Sequence, residues 1–464
     1  MNVEVEVISK EIIKPSSPTP YHLRNYHFSF LDQTHHPVYA SQVFFYEFNG
    51  ETQPTIMEIS NHLKKSLAEV LTLYYPLAGR IRFDNHFVDC NDEGVPYLEA
   101  QVTNCRVRDV LENPIPGELS KLVPFQLDDG IADDEIALGV QLNMFECGGF
   151  AIGLSTTHKL ADGLSMLMFS KTWAAMARGD RDQVEMERPE FVSAKLFPPK
   201  DLNHFSTRDA IAKPVIDKNK VTKRFVFGAS NIKDLRAKYT SLSEKDVIMK
   251  PPISRVETLS AFIWRRFVEA IKDVDHNKLH RVIHAVNLRP LIDPPLLRHT
   301  FGNIFRLAMT APFLSGGDDE DEDEDDEESC YGMIRRVREE INKIDKDYVK
   351  RLQEGDEELT SVNPLAHSFT RGEVETSNFT SLCRFPLYDN DFGWGRPTWV
   401  GIPPLPLNNL TVFLDTKEAG GIEAYVTLEE EVMTKFESDP FLQRRVSTGR
   451  FDTAVSSLAH QPTR

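Results

Sequence analysis

The stretch Leu154-Ser155-Thr156-Thr157-His158-Lys159-Leu160-Ala161-Asp162-Gly163 decides how the rest of the 464-residue chain is read. Before it, Phe150 to Thr157 alternates large apolar and small residues, the pattern of a half-buried strand. After it, Leu164, Leu167, Met168, Ala174 and Ala175 recur at helical spacing up to Arg178. His158 is therefore expected at a strand-to-helix junction, where rigid elements on both sides hold a side chain that points into a cleft. Gly163 lets another segment approach closely. Taken alone, His-x-x-x-Asp-Gly is too short to carry a function, and a hydrogen-bonded core histidine is the plainer reading of His158. A metal site is disfavoured, because no third ligand stands at a fitting spacing from His158 and Asp162.

Upstream, the chain reads as strands at Val3 to Ile13, Val43 to Phe48 and Val140 to Phe145, with a helix from Ile56 to Leu73. Ile59, Leu63, Leu67, Val70 and Leu71 fall on one face of that helix, and Pro76 and Gly79 end it. Downstream, charges and prolines between about 180 and 220 read as a crossover linker. A helix from Ser254 to Arg265 and a strand from Val282 to Asn287 follow. Residues 318–328 are eleven consecutive acids; without them the formal net charge of −18 would be −7. Such a run cannot bury apolar surface, so 316–329 is expected to be a disordered loop, followed by a helix from Met333 to Leu352. The end of the chain is β-rich, with a hairpin from Leu410 to Leu428.

The totals exclude several classes. The length suggests two domains. A basic nucleic-acid footprint, a polybasic membrane patch and an apolar stretch of membrane-spanning length are all missing from the sequence. The five cysteines show no metal-type spacing and read as free thiols of a reduced, cytoplasmic protein.

A second stretch changes the weight of the first. Asp391-Phe392-Gly393-Trp394-Gly395 follows Pro386-Leu387-Tyr388. Together with HxxxDG at His158 it resembles the BAHD family of plant acyl-CoA-dependent acyltransferases, whose two signatures are HxxxDG and DFGWG. Pro15 to Pro20, Leu31-Asp32-Gln33, Tyr74 to Arg80, Ser254 to Arg265, Asn287-Leu288-Arg289-Pro290 and Phe301-Gly302-Asn303-Ile304 also look like the family, in its order.

The resemblance implies an α/β fold of two similar-sized domains, each a mixed β-sheet flanked by helices, like chloramphenicol acetyltransferase, with the active-site tunnel at their interface. The expected division is residues 1–180 carrying HxxxDG, a linker at 181–220, and residues 221–464 carrying DFGWG. A segment around Phe379 to Pro397 is expected to cross back toward the first domain. By the same resemblance His158 is the catalytic base, taking a proton from the acceptor hydroxyl without a covalent acyl-enzyme. Asp162 points away from the cleft and pairs with Arg289. Gly163, Asp391, Gly393, Trp394 and Gly395 are structural, the last four near the coenzyme entrance. Thr380 stands where it can donate to the oxyanion, and Leu382 departs from the family's tryptophan. Ser254 and Arg255 fall in a region that contacts coenzyme A in relatives.

The implied partners are acetyl-CoA as co-substrate and a small-molecule alcohol, with alkaloid acetyltransferases as the most similar branch. The implied state is a monomer with no metal and no permanently bound cofactor. A malonyl or other acyl donor, an amine or non-alkaloid acceptor, and a non-catalytic ligand-binding relative stay open. A carrier-protein condensation domain shares HxxxDG but usually has a second histidine where this chain has Thr157.

Overall fold

A computed structural model describes residues 2–35, 37–48, 54–82, 86–125, 136–200, 219–242, 252–272, 278–314, 325–355, 374–418 and 420–447. Strands and the helices of six or more residues are numbered along the chain. The first half contributes β1 (Val5–Ile13), β2 (Asn25–His27), β3 (Tyr39–Tyr46), α1 (Ile56–Leu73), β4 (Arg80–Arg82), β5 (Phe87–Asp89), β6 (Val95–Val102), α2 (Val107–Glu112), β7 (Leu138–Phe145), β8 (Phe150–Thr157), α3 (Gly163–Arg178) and α4 (Arg181–Met186). The second contributes β9 (Lys220–Phe227), α5 (Ala229–Leu242), α6 (Arg255–Ile271), β10 (Leu279–Asn287), β11 (Phe305–Met309), β12 (Phe313–Leu314), α7 (Asp325–Asn342), α8 (Lys346–Glu354), β13 (Val374–Ser381), β14 (Trp399–Gly401), β15 (Leu410–Asp415), β16 (Ile422–Glu429), α9 (Glu430–Ser438) and β17 (Val446–Ser447).

Two mixed sheets organise these elements. One has six strands in the order β1-β6-β7-β8-β3-β14; the other has eight, in the order β11-β10-β13-β15-β16-β9-β17 with β12 beside β10. A small third sheet, β2-β5-β4, joins the first half. The helix expected at Ile56 is capped as its sequence dictates: Thr55 and Glu58 bond each other's backbone amides, and Ile59, Leu63, Leu67, Val70 and Leu71 are buried.

β8 differs from expectation, since all eight of its residues are buried. A backbone segment covers the face that should have been open. A Cβ on Gly153 would lie 1.9 Å from the Leu122 carbonyl oxygen, so only glycine admits that segment. Gln141 and Asn143 of β7 donate to the carbonyls of Lys121 and Leu122 at 2.9 and 2.8 Å, which satisfies polar groups that would otherwise be costly to bury.

Three further boundaries differ from the sequence reading. The acidic run does not stay irregular to residue 329, because α7 begins at Asp325; residues 315–324 lie outside the described residues. The helix expected from Met333 to Leu352 is two helices, α7 and α8, broken between Asn342 and Lys346. The described part of the linker is packed: Phe191 meets the rings of Tyr26, Tyr74, Tyr75 and Phe301, and Lys200 donates its backbone N–H to Gln33 at 2.9 Å. Residues 201–218 lie outside the described residues.

The chain crosses back late, over the expected span from about Phe379 to Pro397, and a short strand just after it extends the crossing. β14 pairs with β3, Trp399 opposite Phe45, so residues of the expected second domain complete the first sheet. Leu387, Phe392, Trp399 and Val400 belong to the first core. Trp399 also donates its indole N–H to Glu423 of β16 at 3.1 Å, and Arg224 of β9 clamps the same carboxylate at 2.7 and 2.9 Å. The two sheets are thus tied through one buried node, with the His158 loop between them.

Candidate active site

His158 follows the last residue of β8 and precedes α3. Its backbone N–H donates to the Val38 carbonyl at 2.7 Å. The ring is partly accessible, whereas its Nδ1 is buried without a hydrogen-bond partner. With Nδ1 enclosed, the open edge of the ring is Nε2. Burial holds the imidazole below its ordinary pKa, only partly offset by its own carbonyl, Asp162 and Asn303. At neutral pH the ring is therefore uncharged, the form in which it accepts a proton.

Asp162 does not serve that ring. It caps α3, accepting the Ser165 N–H at 2.9 Å, and accepts the Ile304 N–H at 3.1 Å. Arg289 grips it bidentately, Nη1 to Oδ2 at 2.7 Å and Nη2 to Oδ1 at 3.1 Å, with side chains only 3% and 8% exposed. Burial alone would raise the Asp162 pKa; the Arg289 charge and these hydrogen bonds outweigh it and hold the carboxyl below its usual range. Arg289 spends its remaining donors on the carbonyls of Thr300 and Gly302, on Asn287 Oδ1 and on Ser165 Oγ. The expected pair is present, and it staples the His158 loop to the segment after β10.

Gly163 opens α3 where another chain segment comes close. A Cβ there would stand 2.7 Å from Leu382 Cδ2. Leu382 follows β13, and Thr380 sits two residues earlier on that strand, opposite Val412. The end of β13 thus lies against the turn that carries His158.

The second motif is a docked loop. Asp391 Oδ1 accepts the N–H groups of Gly393 and Gly395 at 2.8 and 2.9 Å, and both glycines have φ near +100°, at 106° and 96°. Phe392 is buried against Trp173 and Tyr46. Trp394 packs edge-on against His62 and Phe150, and Arg178 donates to the Asp391 carbonyl. The loop holds the second half of the chain on the first.

Ser254 and Arg255 begin α6. Ser254 forms a capping box with Glu257, and Arg255 bonds Asp415 at 2.8 Å and the Gly420 carbonyl at 3.1 Å while staying 28% exposed.

Four residues given no role by the sequence reading support the His158 loop. Asn303 Nδ2 lies 2.9 Å from Asp32 Oδ1, 3.0 Å from the His158 carbonyl and 3.3 Å from the Lys159 carbonyl. Its Oδ1 is buried without a hydrogen bond, like the Nδ1 of His158. Lys159 donates to the carbonyls of Gln33 and His35 at 2.9 and 3.1 Å, and burial pushes its pKa down to about 8. His35 stacks parallel to His158, ring centroids 5.5 Å apart, with Phe305 edge-on to both. The signal was present in Leu31-Asp32-Gln33 and Phe301-Gly302-Asn303, which resembled the family but had no chemistry attached. Among the described residues no group of three His, Cys, Asp or Glu could hold a metal ion, and no helix is long and apolar enough to cross a membrane.

Residues 3–442 match the family model described as the Transferase family. A limonoid 21-O-acetyltransferase of Citrus sinensis is 36% identical over 447 residues, covering 94% of this chain and 97% of that protein. Vinorine synthase of Rauvolfia serpentina is 35% identical over 440 residues, covering 93% and 96%. The crystal structure of vinorine synthase superposes with a TM-score of 0.77, covering 96% of this chain and 99% of that one. The F. graminearum protein TRI101, solved with coenzyme A and deoxynivalenol, shares the fold at 14% identity and a TM-score of 0.65, covering 91% and 99%.

Proposed function

The chain belongs to the Transferase family of BAHD acyltransferases, and on that premise we propose that it moves an acetyl group from acetyl-CoA to a hydroxyl of a plant specialised metabolite, with an alkaloid as the favoured acceptor. The observation that carries this reading is the state of His158. It is an imidazole kept neutral by burial, open at one edge, on a loop pinned by Asp162–Arg289 and by Asn303.

His158 Nε2 takes the proton of the acceptor hydroxyl as its oxygen attacks the thioester carbonyl. The tetrahedral intermediate collapses by breaking the carbon–sulfur bond, and the proton on His158 passes to the departing CoA thiolate. General-base help of this kind contributes on the order of 10²–10⁴ in rate, and alignment of the two substrates adds to it. For Nε2 to act as base the ring proton must sit on Nδ1. Asn303, whose Oδ1 is buried without a partner and whose side chain acts on the His158 ring, is the acceptor for that proton. The Thr380 hydroxyl donates to the oxyanion. Arg255 and the start of α6 serve the phosphates of the coenzyme.

An acetyl donor is favoured over malonyl on electrostatic grounds. The two cations on and against the His158 loop are committed, Arg289 to Asp162 and Lys159 to backbone carbonyls. Neither of these two cations is left free to meet a malonyl carboxylate. For the acceptor, similarity to vinorine synthase supports an alkaloid, and similarity to a limonoid acetyltransferase makes a limonoid alcohol the second class.

The test is incubation of the purified protein with acetyl-CoA or malonyl-CoA and separate pools of alkaloid and limonoid alcohols, read by mass spectrometry. An acetyl gain on an alkaloid alcohol is expected. A gain only on limonoids reassigns the acceptor, a malonyl gain reassigns the donor, and no transfer from any acyl-CoA to any pool overturns the reading.

A further inference from the structure

Cys105 and Cys147 lie outside the machinery described above, at the ends of two neighbouring strands. β6 and β7 run parallel, and their last paired residues are Val102 and Phe145. Beyond that pair one segment leads through Thr103 and Asn104 to Cys105, the other through Glu146 to Cys147. The second segment is a tight turn: the Gly148 N–H donates to the Phe145 carbonyl at 3.0 Å, which places Cys147 at the tip. This turn lies against the first residue of α2, since a Cβ on Gly149 would stand 2.8 Å from Val107 Cγ2. Each cysteine is two residues before a member of that contact. Both line the same surface cavity of about 540 Å³, together with Arg106, Asp109 and Glu146.

The two thiols are not equivalent. All five cysteines are free; Cys147 is exposed, while Cys105 is 9% exposed. Burial, then the charges of Asp109, Cys147 and Glu118, pushes the Cys105 thiol up. An oxidant therefore reaches Cys147 first, and Cys105 is held beside it as the second sulfur.

We propose that Cys105 and Cys147 form an oxidation site that a hydroperoxide closes into a disulfide. The Cys147 thiolate attacks the peroxide, the O–O bond breaks, and Cys147 becomes a sulfenic acid as the alcohol leaves. The Cys105 sulfur then displaces the hydroxyl from Cys147 sulfur, releasing water and forming the S–S bond. Two thiols lose two hydrogen atoms, and the hydroperoxide is reduced to alcohol and water.

The experiment treats the folded full-length protein with tert-butyl hydroperoxide, removes the oxidant, unfolds the chain in guanidinium chloride and alkylates the remaining thiols with iodoacetamide. Alkylatable cysteines should fall from five to three, and a non-reducing digest should yield a peptide joining Cys105 to Cys147. Cys147→Ser, at an exposed turn tip, should fold and lose that cross-link. It should keep acetyl transfer at the wild-type rate, because the turn lies at the opposite end of β8 from His158. A sulfinic acid on Cys147 with Cys105 still alkylatable, a disulfide to any other cysteine, or five unchanged thiols would overturn the proposal.

Discussion

Removing the Asp162 carboxylate would leave the Arg289 guanidinium buried, facing only carbonyls and the Ser165 hydroxyl. Stranding such a charge costs about 3–5 kcal/mol. Asp162→Ala should therefore lose that much stability in chemical denaturation, with acetyl transfer falling alongside, and Arg289→Ala should behave the same way. The double variant should lose less than the sum of the two. Unchanged denaturation midpoints in both single variants would remove the staple from the account. Both partners of this pair were legible in the sequence, because each sits in a motif that resembles the family. The contact between Asp32 and Asn303 was not, although each also sits in a stretch that resembles the family. They are 271 residues apart, and an aspartate and an asparagine in separate apolar stretches give no local sign that one carboxylate will anchor the other's amide.

At the scale of elements, α3 and the end of β13 meet in a close contact. The Cβ of Gly163→Ala would meet Leu382 Cδ2 at 2.7 Å, so the end of the Leu382 side chain must turn away or one segment must shift. The variant should keep its fold yet lose kcat, and adding Leu382→Ala should restore much of it. Failure of the second change to rescue the first would show that the clash lies elsewhere. In the Asp391 loop, Phe392→Ala should cost about 3–5 kcal/mol by opening a cavity beside Trp173, measured by thermal melting. Element types were readable from periodicity and capping, as α1 illustrates. What covers an element was not. β8 alternates like a half-buried strand but is buried throughout, because the segment at Leu122 lies on Gly153, and a contact between a glycine and a distant carbonyl leaves no periodic trace. Residues 181–200 look like a linker by composition, yet a few aromatic anchors such as Phe191 suffice to pack such a segment.

The whole molecule carries an acid liability in its second half. His280 and His284 lie on β10, are 3% and 7% exposed, and each has a ring nitrogen without a partner. Burial brings both down to about 4 from an ordinary 6.5. The charged groups acting on them are Glu375, Lys278 and Arg265 for His280 and Glu257 for His284. Because the folded state keeps these rings neutral, the unfolded chain binds protons first. Their contribution is complete above about pH 6.5 and is lost as pH falls toward 4, at about 3 kcal/mol for each ring. Denaturation midpoints should fall over that window, and His284→Phe should flatten the fall; an unaltered slope would contradict it. On the same scale, the two-domain α/β architecture was legible from length and motif order. The return of Trp399 into the first sheet was foreseen only as a tendency, since a three-residue strand carries too little pattern to be placed.

In the proposed mechanism one neutral imidazole between the two sheets activates the acceptor for direct transfer from acetyl-CoA. The most direct test compares acetyl product formation by the wild-type protein and His158→Ala, with the melting curve of each recorded in the same buffer. A loss on the order of 10²–10⁴ in turnover is expected, with the melting curve nearly unmoved. Turnover by His158→Ala at the wild-type rate would contradict it.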